Sequence, residues 1–123
     1  MLALIVDDSR AMRMVLRRTV ANLGFEVREA ENGRLALDLL NSLDSPPDLA
    51  LIDWNMPEMD GLELVAAIRA GAKWDSMTMM MVTTEGEHSR VVQALSAGAH
   101  EYLMKPFTPE SLVDKLALHG LPR

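Results

Sequence analysis

The chain contains no cysteine. Disulfides, thiolate metal sites and cysteine nucleophiles are therefore excluded, and any metal must be held by oxygen or by one of the 3 histidines. Those histidines, His88, His100 and His119, are scattered without metal-site spacing and read as surface residues. A basic excess is also missing: Lys and Arg number 12 against 18 Asp and Glu, a net charge of -6. An acidic surface repels a phosphate backbone, which weighs against direct nucleic-acid binding. Long apolar runs are absent as well. The run Met1 to Val6 meets Asp7 and Asp8 far short of the roughly 20 residues a membrane span needs, and it lacks a signal-peptide cleavage pattern. The expectation is a cytoplasmic protein with no membrane insertion. No repeat or low-complexity stretch interrupts the chain, and 123 residues leave room for one domain, residues 1–123. The chemistry left open is that of carboxylates.

What the chain does have is a strict alternation of short apolar runs with longer segments of helical periodicity. Strand segments are expected at Leu2 to Val6, Phe25 to Ala30, Leu49 to Ile52, Thr78 to Val82 and Glu101 to Met104. The first helix starts near Ser9, turns Met12, Val15, Leu16 and Leu23 to one face, and stops at Gly24. Asn32-Gly33 opens a second, with Ala36, Leu39 and Leu40 inward, which ends before Ser45-Pro46-Pro47. A loop with Pro57 and Gly61 leads to a third carrying Leu64, Val65 and Ile68, closed by Gly71. Val91, Val92 and Leu95 mark a fourth, ended by Gly98, and Thr108-Pro109 starts a fifth with Leu112, Val113 and Leu116 inward. This pattern predicts an α/β fold, a flavodoxin-like (βα)5 three-layer sandwich. Its parallel five-stranded sheet is expected in the order 2-1-3-4-5, which the alternation suits without dictating.

Ligands of open parallel sheets bind beyond the carboxyl ends of the strands, and those ends are polar here. Strand one finishes in Asp7-Asp8, strand three in Asp53, strand four in Thr83-Thr84 and strand five in Lys105 before Pro106. In the expected order Asp53 has the acidic pair on one side and Thr83 on the other, each about 5 Å of sheet away. Lys105 lies one strand further. Converging carboxylates need a counter-charge, and a hard divalent cation with few protein ligands and retained water favours magnesium. Cation, ammonium and hydroxyl around Asp53 suit a tetrahedral dianion, because phosphoryl transfer depends largely on positioning and charge neutralisation. A carboxylate can be the nucleophile, giving an acyl phosphate, and Asp53 is central.

At these residues the chain resembles the receiver domains of two-component response regulators, and among them the single-domain regulators of chemotaxis. The resemblance runs along almost the whole chain. It is strongest at Asp53-Trp54-Asn55-Met56-Pro57 and Met59-Asp60-Gly61-Leu62-Glu63-Leu64, with Asp7-Asp8-Ser9, Met81-Val82-Thr83 and Lys105-Pro106-Phe107-Thr108 in support. It implies that Asp53 takes a phosphoryl group from a phosphohistidine on a sensor histidine kinase. It implies magnesium held by Asp8, Asp53 and the Asn55 carbonyl, with Asp7 acting through water. Lys105 would pair with the phosphoryl group, Thr83 would hydrogen-bond it, and the Lys105-Pro106 bond would be cis. Thr83 would then move toward the phosphoryl group and Tyr102 turn inward, rearranging the face of helix four, strand five and helix five for a downstream protein target. Asn55 and Glu85 occupy positions that tune dephosphorylation in similar proteins. Where chemotaxis regulators carry a lysine pair after the switch threonine, this chain has Glu87-His88, which puts binding to a flagellar motor switch in question.

Plainer readings stand beside these. Asp7 and Asp8 also suit a turn, Asp60-Gly61 helix-start chemistry, Thr83 an ordinary strand position, and Tyr102 a half-buried ring with a wet hydroxyl. The 10 methionines read as core filling, and Trp54 as a shield over the site. A magnesium-dependent phosphatase of the haloacid dehalogenase type needs Asp-x-Asp after strand one, whereas this chain has Asp7-Asp8-Ser9 and no cap domain. A phosphorylation-independent docking module would be expected to lose part of the acidic pair, Asp53 or Lys105, and all are present. A receiver from another two-component pathway stays open. The methionine start and the short tail Gly120 to Arg123 favour a stand-alone protein, and a monomer is expected.

Overall fold

The computed structural model describes residues 1–123. The apolar runs form β1 (Leu2–Val6), β2 (Glu26–Ala30), β3 (Leu49–Ile52), β4 (Thr78–Thr83) and β5 (Glu101–Met104). Between and after them lie α1 (Arg10–Asn22), α2 (Gly33–Ser42), α3 (Gly61–Ala70), α4 (His88–Ala97) and α5 (Pro109–Ala117), with a 3-10 turn at Ala72–Trp74. All pairings are parallel and the order is β2-β1-β3-β4-β5, so the expected flavodoxin-like sandwich is the observed fold.

Successive strand residues point to opposite faces, and the interior strands are apolar on both, as a sheet covered on two sides requires. Leu4, Val6, Ala50, Ile52, Met79 and Met81 face one way, onto Ala36, Leu40, Leu64, Val65, Ile68 and Ala94 of α2, α3 and α4. Ala3, Ile5, Leu49, Leu51, Met80 and Val82 face the other way, onto Leu16, Val20, Leu112 and Leu116 of α1 and α5. Met77, Met79, Met80 and Met81 are fully buried, so these methionines fill core as expected.

Met12, Leu16 and Leu23 of α1 pack inward as expected, and Val15 alone departs. In α1 the buried pair is Leu16 and Val20, one turn apart, while Val15 is 49% exposed. Valine at 15 sits about 100° round the helix from Leu16, so both cannot face the sheet. In α4 the inward stripe is Val91, Ala94 and Ala97, which leaves Val92 and Leu95 exposed at 46% and 43%. His100 is exposed as expected, and its Nδ1 accepts a hydrogen bond from the Met79 N–H at 3.0 Å at the start of β4.

Helix starts are set by side chains that accept otherwise unpaired N–H groups. Ser9 caps α1, Asn32 caps α2, and Asp60 with Glu63 forms a reciprocal capping box on α3, as Thr108 with Ser111 does on α5. Gly61 has a second role besides opening α3. Its N–H bonds the Trp54 carbonyl at 2.9 Å, and a methyl built on it would overlap the Asp53 carbonyl oxygen and stand 2.9 Å from the Asp53 carbonyl carbon. The obstacle is backbone, which cannot turn aside as a side chain can. Gly61→Ala is therefore expected to lower stability by about 1–3 kcal/mol, read from urea unfolding. An unchanged midpoint would mean that the loop between β3 and α3 yields freely.

Candidate functional site

Backbone bonds that continue the strand ladders bring the polar strand ends together. Asp53 N–H donates to the Val6 carbonyl at 2.9 Å, Asp7 N–H to Ala30 at 3.1 Å and Lys105 N–H to Thr83 at 2.9 Å. The result is a cluster in which one carboxylate oxygen from each of Asp7, Asp8 and Asp53 lies within 4.8 Å of the others. Asp7, Asp53 and Thr83 are buried, and Asp8 is exposed.

One cation serves this cluster from the protein itself. Lys105 Nζ is 2.8 Å from Asp7 Oδ2 and 3.5 Å from Asp53 Oδ2, so it is held more closely by Asp7. Asp7 has further partners: its Oδ1 accepts from Ser9 N–H at 2.8 Å and its backbone carbonyl from Arg13 Nη1 at 2.7 Å. Asp53 has less support, a bond at 2.8 Å from Trp54 N–H to Oδ1. Burial pushes the Asp53 carboxyl above its ordinary value of 3.8, Lys105 opposes this, the charge on Asp7 adds to it, and the Thr83 hydroxyl and Trp54 N–H oppose it. The donors are hard oxygens with one exposed carboxylate, and one ammonium does not balance three acids. That donor set fits a divalent cation of the magnesium or calcium type.

A second group of predicted residues adjoins the first. Asn55 Nδ2 donates to Glu85 Oε1 at 2.9 Å, and Glu85 N–H donates to the Thr83 hydroxyl at 3.3 Å. The Tyr102 hydroxyl donates to the Glu85 carbonyl, and its ring is 7% exposed. The Lys105-Pro106 peptide is cis. Trp54 is 3% exposed, and the Arg90 guanidinium lies over its ring at 5.2 Å. Arg13 and Arg90 were not marked by sequence reasoning. Arg13 stands one helical turn past the cap Ser9, which puts it over the end of β1, whereas nothing local distinguishes Arg90 before α4 is docked.

The response regulator receiver domain model matches residues 3–117. The chain belongs to that family. This receiver is 49% identical over 114 residues, 92% of its length and 87% of the relative's, to a chemotaxis protein CheY homolog of Campylobacter jejuni. The high-resolution structure of the chemotaxis response regulator CheY4 of Vibrio cholerae superposes on it with a TM-score of 0.87 at 34% identity, covering 95% of this chain and 96% of that one. A response regulator of Burkholderia pseudomallei, solved with a phosphorylated aspartic acid, a calcium ion and citrate, gives a TM-score of 0.83 at 27% identity over 94% of this chain and 65% of the other. The protein is thus a CheY-like receiver, a signalling module of two-component systems.

A carboxyl whose folded pKa is raised contributes stability below its unfolded pKa and loses it as pH rises through the folded value. For metal-free receiver at pH 7 the ionised Asp53 is therefore unfavourable. Asp53→Asn is expected to melt at a higher temperature than wild type in EDTA at pH 7, with the gain fading as pH falls toward 3.8. A calorimetric series across pH checks both the sign and the window.

Proposed function

We propose that the protein is a phosphoacceptor response regulator in which Asp53 takes a phosphoryl group from a phosphohistidine on a sensor histidine kinase. The observation that carries this reading is the position of Asp53: buried, central in the acid cluster, and flanked by Lys105 and Thr83. An Asp53 carboxylate oxygen forms the bond to phosphorus as the phosphorus–nitrogen bond to the donor imidazole breaks, and the imidazole recovers a proton from solvent. Lys105 passes from Asp7 toward the incoming phosphoryl oxygens, and the Thr83 hydroxyl donates to one of them. Asp8, Asp53 and the Asn55 carbonyl would hold magnesium, which supplies the charge neutralisation that Lys105 alone does not. Asp7, whose carboxylate is already bonded to Ser9 N–H and Lys105, would act through water. The phosphorylated aspartic acid and calcium ion of the Burkholderia relative lend support to both assignments.

The signal is read out at the face of α4, β5 and α5. Val92, Leu95 and Met104 stand exposed there, which suits an apolar contact with a downstream protein. Phosphorylation would act on this face through the segment from Thr83 to Glu85, whose atoms meet Asn55 and Tyr102, with the Tyr102 ring completing the switch on the inside. Asn55 and Glu85, bonded to each other beside Asp53, are placed to influence the approach of water and so the lifetime of the acyl phosphate. The chemotaxis names of the Campylobacter and Vibrio relatives favour a chemotaxis pathway, with Glu87-His88 altering the charge offered to a motor partner. A cytoplasmic setting goes with this reading, and no helix is long and apolar enough to cross a membrane.

Intact-mass measurement after incubation with acetyl phosphate tests the assignment. One added phosphoryl group is expected with magnesium, and none in EDTA or in Asp53→Asn. A gain that persists in Asp53→Asn would move the acceptor elsewhere. No gain from acetyl phosphate or from a phosphorylated histidine kinase, in folded protein, would favour the docking-module reading.

A further inference from the structure

Arg13 is the polar residue of α1 that reaches the acid cluster without belonging to it. Its side chain is only 14% exposed, unusual for an arginine on a helix that otherwise shows solvent Arg10, Arg17 and Arg18. Nη1 donates to the Asp7 carbonyl at 2.7 Å and Nε to Glu29 Oε1 at 3.0 Å, so the planar fork spans β1 and β2. Glu29 is fixed in turn by Arg17, whose Nε meets Oε2 at 2.6 Å. The Asp7 carbonyl belongs to the peptide that joins Asp7 to Asp8. With Asp7 already held by Ser9, Lys105 and the Ala30 carbonyl, orienting this peptide decides where the Asp8 carboxylate stands.

We propose that Arg13, anchored on Glu29, is a positioning residue for the divalent-cation site: it fixes the Asp7–Asp8 peptide and so aims Asp8 at Asp53. The inference rests on the reading of Asp8 and Asp53 as cation ligands. Its sign separates it from a simple effect of charge. Removing a positive charge beside three carboxylates should by Coulomb's law tighten their hold on a cation, whereas losing a positioning bond should weaken it.

Magnesium titration of the full chain, followed by tryptophan fluorescence with Trp54 beside the site, reads the difference. Arg13→Gln is expected to weaken magnesium binding about ten-fold, the lower end of what loss of a group supporting a metal ligand typically costs. Arg17→Gln removes the same charge from Glu29 without touching Asp7 and should leave the affinity within about two-fold. Arg13→Lys keeps the charge but not the fork and should still bind more weakly than wild type, which serves if the glutamine variant fails to fold by circular dichroism. Unchanged or tighter binding in the folded Arg13 variants, or equal weakening in Arg17→Gln, overturns the proposal while leaving the site itself intact. A wild-type protein that takes up no magnesium, with Asp8→Asn behaving identically, removes the cation reading and this inference with it.

Discussion

Lys105 reaches from the end of β5 across two strands to the acids that finish β1 and β3. Its bonds to Asp7 at 2.8 Å and Asp53 at 3.5 Å are what let those carboxylates share a largely buried edge. Burying like charges this closely is unfavourable without a partner, and a single ammonium leaves the cluster short of positive charge. The residue ends up closer to Asp7 than to Asp53, which leaves Asp53 the less compensated of the pair. Asp53, held less closely by Lys105, keeps more capacity for a further positive partner than Asp7 does.

The backbone around Asp53 answers the same constraint. Gly61 lets the start of α3 lie against the Asp53 carbonyl, and the Asp60–Glu63 box completes that helix end without using any group of the acid cluster. Trp54, the next residue, is buried and lies under the Arg90 guanidinium from α4.

Much of this was legible before any coordinates. The apolar runs located all five strands to within a residue, because short buried strands between turn-forming residues leave little freedom of interpretation. Asp7, Asp8, Asp53, Thr83 and Lys105 could be gathered once ligands were sought at strand ends. Less visible was which apolar residues of α1 and α4 face inward. Val15 and Val20 carry the same side chain, and only docking of α1 on Ile5 and Leu51 decides between them. Nor could spacing reveal Tyr102 bonded to the Glu85 carbonyl, His100 accepting from Met79, or Arg13 meeting Asp7, since each depends on two elements arriving at one place.

The topology has a consequence for the order in which the protein comes into being. Leu4 pairs with Arg28 on one side and Ala50 on the other, and no neighbouring strands are joined by a hairpin. Parallel pairings of this kind close long loops and are slow to form. As the chain leaves the ribosome, Asp7 and Asp8 appear first, Asp53 midway and Lys105 near the end. A nascent chain stalled before β5 carries the acids without their counter-ion, so an interrupted or clipped product has repulsion at the sheet edge in place of a site. Completion of the last strand both closes the sheet and relieves that repulsion.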